Sequence, residues 1–208
     1  MIDKRQVWLT GFMAVAVYLI GTTISLLKYP LAYSPFENWL SDLGNPINNP
    51  TGAFSYNLGC ALAGLCLIFF SLGLEIWYDG DEKRRILLTI AQVACIISSL
   101  GLIVSAFFPL GAYTAIHSIS GKAHIFFAGF FLTFSATIFL RHPEAPKWLA
   151  LFGFLAALIN FIYGAFLHSV FIAEWAAIGA IIIYVAMVST NSLKLNTLRA
   201  VYGFRQRS

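Results

Sequence analysis

The sequence predicts an all-α polytopic membrane protein, a single antiparallel bundle of six transmembrane helices with a short amphipathic helix in its first outer loop. Three observations predict it. Of 208 residues, 59% are hydrophobic and 11% charged, against about 45–50% and about 25% in soluble domains. The mean hydropathy is +0.79, and nineteen Phe with five Trp leave too little polar surface to cover a soluble domain. Six stretches, at residues 7–27, 51–77, 86–108, 115–140, 148–168 and 171–190, reach the length of about 20 apolar residues that a spanning helix needs. Residues 1–208 then form one domain, and soluble enzyme folds, disulfide scaffolds and disordered tails are excluded.

The first span follows Lys4 and Arg5. Its apolar run is too long for a signal-peptide core and no A-x-A site follows, so it reads as an uncleaved helix. The first loop, residues 28–50, contains SPFENWLSDLGNP. Ser34 as N-cap, Pro35 at the first helical position and Glu37 at the third spell a capping box. Phe36, Trp39, Leu40 and Leu43 then fall on one helical face, and Gly44-Asn45-Pro46 is a stop signal. The spacing therefore predicts a helix near residues 35–43 packed on the bundle or the interface. Asn49-Pro50 repeats the cap-plus-Pro device ahead of the second span. Cys60, Cys66 and Cys95 lie inside apolar runs without a CxxC pair, and read as small packing residues.

Orientation follows from the basic residues. Lys4, Arg5, Lys83, Arg84, Arg85, Arg141, Lys147, Lys194, Arg199, Arg205 and Arg207 fall on one side, against only Lys28 and Lys122 on the other. The positive-inside rule puts both termini in the cytoplasm of a multi-pass protein of the cell membrane. The net charge of +4 is thus spent on topology and headgroup contact, not on a nucleic-acid partner. The cytoplasmic acids Asp79, Asp81, Glu82 and Glu144 mingle with Lys and Arg, as on a solvated, charge-balanced surface.

Ionisable groups at membrane depth are costly, so they mark the places where function is sought. They gather in the outer half: Glu37, Asp42, His117, Lys122, His124, His168 and Glu174. His117 and His124 are seven residues apart, within about 20° of each other on one helix, and Gly121 and Ala128 share their stripe. His124 would lie roughly 15 Å and Asn57 about 10 Å along their helices at 1.5 Å per residue. Asp42, His117 and His124 are accordingly the candidates for catalysis or for a metal, with zinc the ion that two imidazoles and a carboxylate would hold. Ser41, Asn57, Lys122, His168 and Glu174 are weaker candidates for substrate binding. Plain alternatives stand beside each: Glu174 complements the start of the sixth helix and His168 the end of the fifth, Lys122 snorkels, and Asp42 bonds within its loop. The usual HxxxH, HExxH and GxSxG strings do not occur. The set serves a metal hydrolase, or acid–base and nucleophilic transfer on a lipid ester or headgroup. Haem ligation is disfavoured, because His142 lies on the other side.

The strings LSDLGNPINNPTGAFSYNLGCALAGL and FFPLGAYTAIHSISGKAH resemble the two signatures of the prokaryotic domain-of-unknown-function 998 family. More distantly they are similar to the DRAM/Sfk and GPI-remodelling membrane superfamily. The resemblance covers about residues 30–135 and falls on Ser41, Asp42, Gly44, Asn57, Pro109 and His117, while His124 has no place in it. It implies six spans and hints at lipid handling on the non-cytosolic face. A membrane lipid is then the expected partner, to be bound or modified. A non-enzymatic lipid sensor or scaffold is the main rival reading and a transporter or channel the third; the residues leave enzyme status open. Reporter fusions at either terminus should report cytoplasm, and a first-loop cysteine should react with an impermeant maleimide in intact cells. A terminus reporting the outside would reject this topology.

Overall fold

The structure is a computed structural model that describes residues 7–205, so Lys4, Arg5 and Arg207 of the basic count lie outside the described residues. Among the described residues there is no strand. There are six helices long and apolar enough to cross a membrane: α1 (Val7–Leu27), α2 (Ala53–Gly73), α3 (Glu82–Phe107), α4 (Thr114–Arg141), α5 (Lys147–Ile162) and α6 (Phe171–Arg205). A 3₁₀ turn, Leu74–Trp77, prolongs α2, and a π-helical turn, Tyr163–Leu167, prolongs α5.

Helix ends follow local chemistry. Asp81 caps α3, its Oδ1 accepting from the amides of Lys83 at 2.8 Å and Arg84 at 3.2 Å, and these bonds hold its carboxyl below its ordinary range. At the end of α4, His142 precedes Pro143, which disfavours helical backbone; its φ of −74° and ψ of 131° end the helix there.

Neighbouring helices run in opposite directions. Val7 at the start of α1 meets Gly73 at the end of α2, while Gly21 near the end of α1 meets Gly59 near the start of α2. Asn160 of α5 donates to the carbonyl of Ala177 of α6 at 3.3 Å, while Gly153 lies against Tyr184. Gly11 against Ser189 closes α6 back onto α1, so the six helices form a ring. Without a hydrophobic drive between helices in lipid, close approach at small residues supplies much of the packing. A Cβ on Gly21 would lie 2.6 Å from the Ser55 carbonyl oxygen and 2.9 Å from the Gly59 Cα.

The end carrying the termini is tied by ion pairs, Arg84 with Asp79 at 3.0 Å and Arg199 with Glu144 at 2.7 Å, together with Arg85 and Glu75. His142 there is fully buried against Trp77, ring centroids 5.2 Å apart.

The first loop differs from expectation. Residues 35–37 form only a turn, and the one helical piece is a 3₁₀ helix, Leu40–Gly44. Ser34 does bond locally, its Oγ accepting from Phe36 N at 3.3 Å. Asn38 Oδ1, however, takes Ser34 N at 3.0 Å, and Asp42 Oδ2 takes Trp39 N at 3.0 Å. Such side-chain bonds compete with the helical ladder, and Trp39 adopts extended backbone, φ −66° and ψ 143°. Phe36 is consequently 74% exposed, whereas Leu40 and Leu43 are buried in the core. The loop is pinned by a buried knot: Ser25 Oγ donates to the Leu43 carbonyl at 2.8 Å, and Asn49 Nδ2 donates to Ser25 Oγ at 2.8 Å and to the same carbonyl at 3.0 Å.

Gly21→Val should lower the thermal midpoint in detergent, with a loss on the order of 1–3 kcal/mol from overpacking. Gly121→Ala, whose Cβ would meet nothing within 4 Å, should leave it unchanged. Equal midpoints for the two variants would contradict the α1–α2 contact.

A candidate ligand cavity

At the end of the bundle carrying the first loop lies a cavity of about 800 Å³ to which all six helices and the first loop contribute. Its walls are largely apolar, with Leu102 of α3, Ile125 and Phe126 of α4, Phe161 of α5 and Ile178 of α6. A few polar groups interrupt them, the usual pattern of a ligand pocket.

Two of these groups are the paired histidines of α4. His124 is buried, its Nδ1 3.0 Å from the Ser98 carbonyl oxygen and 2.9 Å from Ser98 Oγ. The Ser98 hydroxyl itself donates to the His124 carbonyl at 2.9 Å. His117 Nδ1 lies 3.0 Å from the Ser105 carbonyl oxygen and 3.2 Å from that of Phe108, in the last turn of α3, where carbonyls lack helical partners. A carbonyl can only accept, so both rings carry their proton on Nδ1 and, when neutral, a lone pair on Nε2. Among the described residues neither Nε2 has a hydrogen-bond partner, and both side chains line the cavity. Gly121 lies between the two histidines on the same wall, with open space over its Cα.

The weaker candidates also reach the cavity. Glu174, in the first turn of α6, lines it and accepts from Ser41 N at 3.4 Å. Ser41 lines it too. Asn57 donates to the Gly44 carbonyl at 2.9 Å, and its Oδ1 fills the space that a Gly44 side chain would need. Lys122 and His168 are exposed and lie on the rim.

Asp42 is the exception. It is buried but does not line the cavity. Its Oδ2 takes Trp39 N at 3.0 Å, and its Oδ1 takes Asn48 Nδ2 at 3.4 Å. Asp42 thus serves as an internal cap of the 3₁₀ helix, half of a capping box, and is not a partner of the histidines. Among the described residues no three His, Cys, Asp or Glu come together as a metal-holding group. Asp42, His117 and His124 are therefore not assembled as a zinc ligand set, because the loop consumes the carboxylate.

The sequence reading missed Ser98 and Ser105 of α3, Tyr18 and Tyr56, whose hydroxyls lie 3.4 Å apart, and Asn160. One signal was present: Ser98 and Ser105 are seven residues apart, as are His117 and His124. Antiparallel helices pair two such stripes residue for residue.

Burial pushes the Asp42 carboxyl up from its ordinary value, partly offset by the Trp39 and Asn48 bonds. A raised value means that the folded chain holds the proton more tightly, so stability is greatest below the unfolded-state value of 3.8 and falls as pH rises through the folded-state value. Asp42→Asn should flatten this dependence above about pH 4 while leaving ligand binding intact. Asp42→Leu, which loses both bonds, should cost about 0.5–2 kcal/mol. Loss of ligand binding in a folded Asp42→Asn variant would return Asp42 to the site.

No curated protein and no solved structure matches the chain, so the more distant superfamily resemblance gains no support from them. The family described as protein of unknown function (DUF998) matches residues 12–191, well beyond the two loop signatures, and the chain belongs to that family.

Proposed function

We propose that this membrane protein takes a lipid-like amphiphile from the outer leaflet into the cavity of the first-loop end. The observation that carries the reading is the cavity of about 800 Å³ whose largely apolar walls include two imidazoles with no partner on Nε2 among the described residues. That volume falls within the range of about 300–1,000 Å³ typical of ligand pockets. The asymmetry of the basic residues supports the outward orientation. An entry route from the bilayer is supported by the rim between α4 and the π-helical turn, where Phe126 is 53% exposed and Gly164 lines the cavity with no atom nearer to its Cβ position than Ile125 at 4.0 Å.

The histidine tautomers favour a second reading on the same ligand. An imidazole anchored through Nδ1–H, with Nε2 facing a pocket, is arranged as a general base. His117 or His124 would take a proton from a water or hydroxyl that attacks a lipid ester, in a hydrolase or transferase reaction.

Protein purified in mild detergent should carry a bound lipid by native mass spectrometry. Gly121→Phe, which fills the open wall between the histidines, should lose it while eluting as a folded species. Lipid retained equally by the variant, or absent from the wild type, would contradict the proposal.

A further inference from the structure

Of the described residues that line the cavity, Glu174 alone is acidic. Its Oε2 accepts from Ser41 N at 3.4 Å, and the start of α6, whose first amides lack helical partners, offsets part of a negative charge. Neither supplies a counter-ion. Among the described residues Glu174 makes no ion pair, and Lys122, the lysine that lines the same cavity, is exposed at its rim. At the opposite end of the bundle, by contrast, Glu75, Asp79 and Glu144 each pair with an arginine. Aromatic rings gather about the unpaired acid. Trp39 lines the cavity and packs on Phe171, three residues ahead of Glu174, with ring centroids 4.6 Å apart. Tyr18 of α1, Tyr56 of α2 and Tyr163 of the π-helical turn also line it, and they lie close enough for the carboxylate to act on them electrostatically.

A carboxylate at membrane depth is costly without a partner of opposite charge. The face of a Trp or Tyr ring attracts the same kind of partner, because its quadrupole is negative there. From this unpaired acid among aromatic rings we infer that the cavity, on the reading that it is a lipid site, holds an amphiphile whose polar end carries an alkylammonium group, placed against Glu174 beside Tyr18, Trp39, Tyr56 and Tyr163. The ligand then brings the counter-ion that the chain does not provide. The rest of its polar end lies toward the two imidazoles, and its chain follows the apolar walls. A primary ammonium would hydrogen-bond to the carboxylate, whereas a quaternary one would rely on charge and on the rings.

The test uses the full chain in dodecyl maltoside, an uncharged detergent, at about pH 8, where a free carboxyl is ionised and an alkylammonium keeps its proton. Oleylamine, oleyltrimethylammonium, oleyl alcohol and oleate share one chain length, and the affinity of each is corrected for its partition into protein-free micelles. Glu174→Gln should weaken at least one of the two cations by about tenfold or more, the loss expected when a buried charge pair is broken. Which cation it is separates a hydrogen-bonded primary ammonium from a quaternary one. Oleyl alcohol should change by less than about threefold, and oleate, freed of repulsion, should bind the variant no more weakly than the wild type. Cations that bind both proteins equally, yet are lost in Gly121→Phe, would overturn the ammonium inference while leaving the lipid site standing. Binding that is absent for all four compounds, or indifferent to Gly121→Phe, would overturn both. Should Glu174→Gln fail to fold, the wild-type panel decides: at least one cation must bind about tenfold more tightly than oleyl alcohol and oleate, and equal affinities would overturn the inference.

Discussion

At membrane depth an unmet N–H is costly, and an imidazole on one helix meets that cost on a carbonyl of the neighbouring helix. The α3–α4 seam meets that constraint twice with one register: Ser98 carbonyl to His124, Ser105 carbonyl to His117. Gly101 lets α4 come close at the midpoint, since a Cβ there would lie 2.8 Å from the Ser120 carbonyl oxygen. This register fixes the rotation of α4, the tautomer of both rings and the side of the helix that faces the cavity. The chemistry proposed for the site depends on it.

The first loop closes the same end by a different device. Asn49 and Ser25 hold the Leu43 carbonyl, Asn57 holds that of Gly44, and Glu174 reaches across from α6 to Ser41 N. Each is a side chain satisfying a backbone group that has no ladder partner, which is what buried irregular chain requires. The loop is thus held by hydrogen bonds more than by its aromatic residues, and Phe36 is left exposed.

The spans were legible because length and apolarity are one-dimensional signals: the first five lie within a few residues of expectation, while α6 runs on to Arg205, past the expected end at 190. The clustering of polar residues at the first-loop end was legible for the same reason: His117, His124, Asn57 and Glu174 do line one cavity. The loop helix was misread because Asn38 and Asp42 bond backwards to the chain, and composition does not reveal which backbone group a short polar side chain will choose. That choice also removed Asp42 from the site. Asn160 gave no signal and the α3 serines only their seven-residue spacing, since their importance comes from which helix they face, and helix rotation is a property of the assembled ring.

The central claim is that the cavity holds a membrane amphiphile with its polar end on the α4 histidines. A cryo-EM map of the protein in lipid nanodiscs tests it most directly. The account predicts an elongated density inside the ring, its chain along Ile125 and Phe161 and its head within hydrogen-bond distance of His117 or His124 Nε2. A cavity collapsed by its own side chains, or one whose histidine Nε2 atoms are turned onto protein partners, would contradict it.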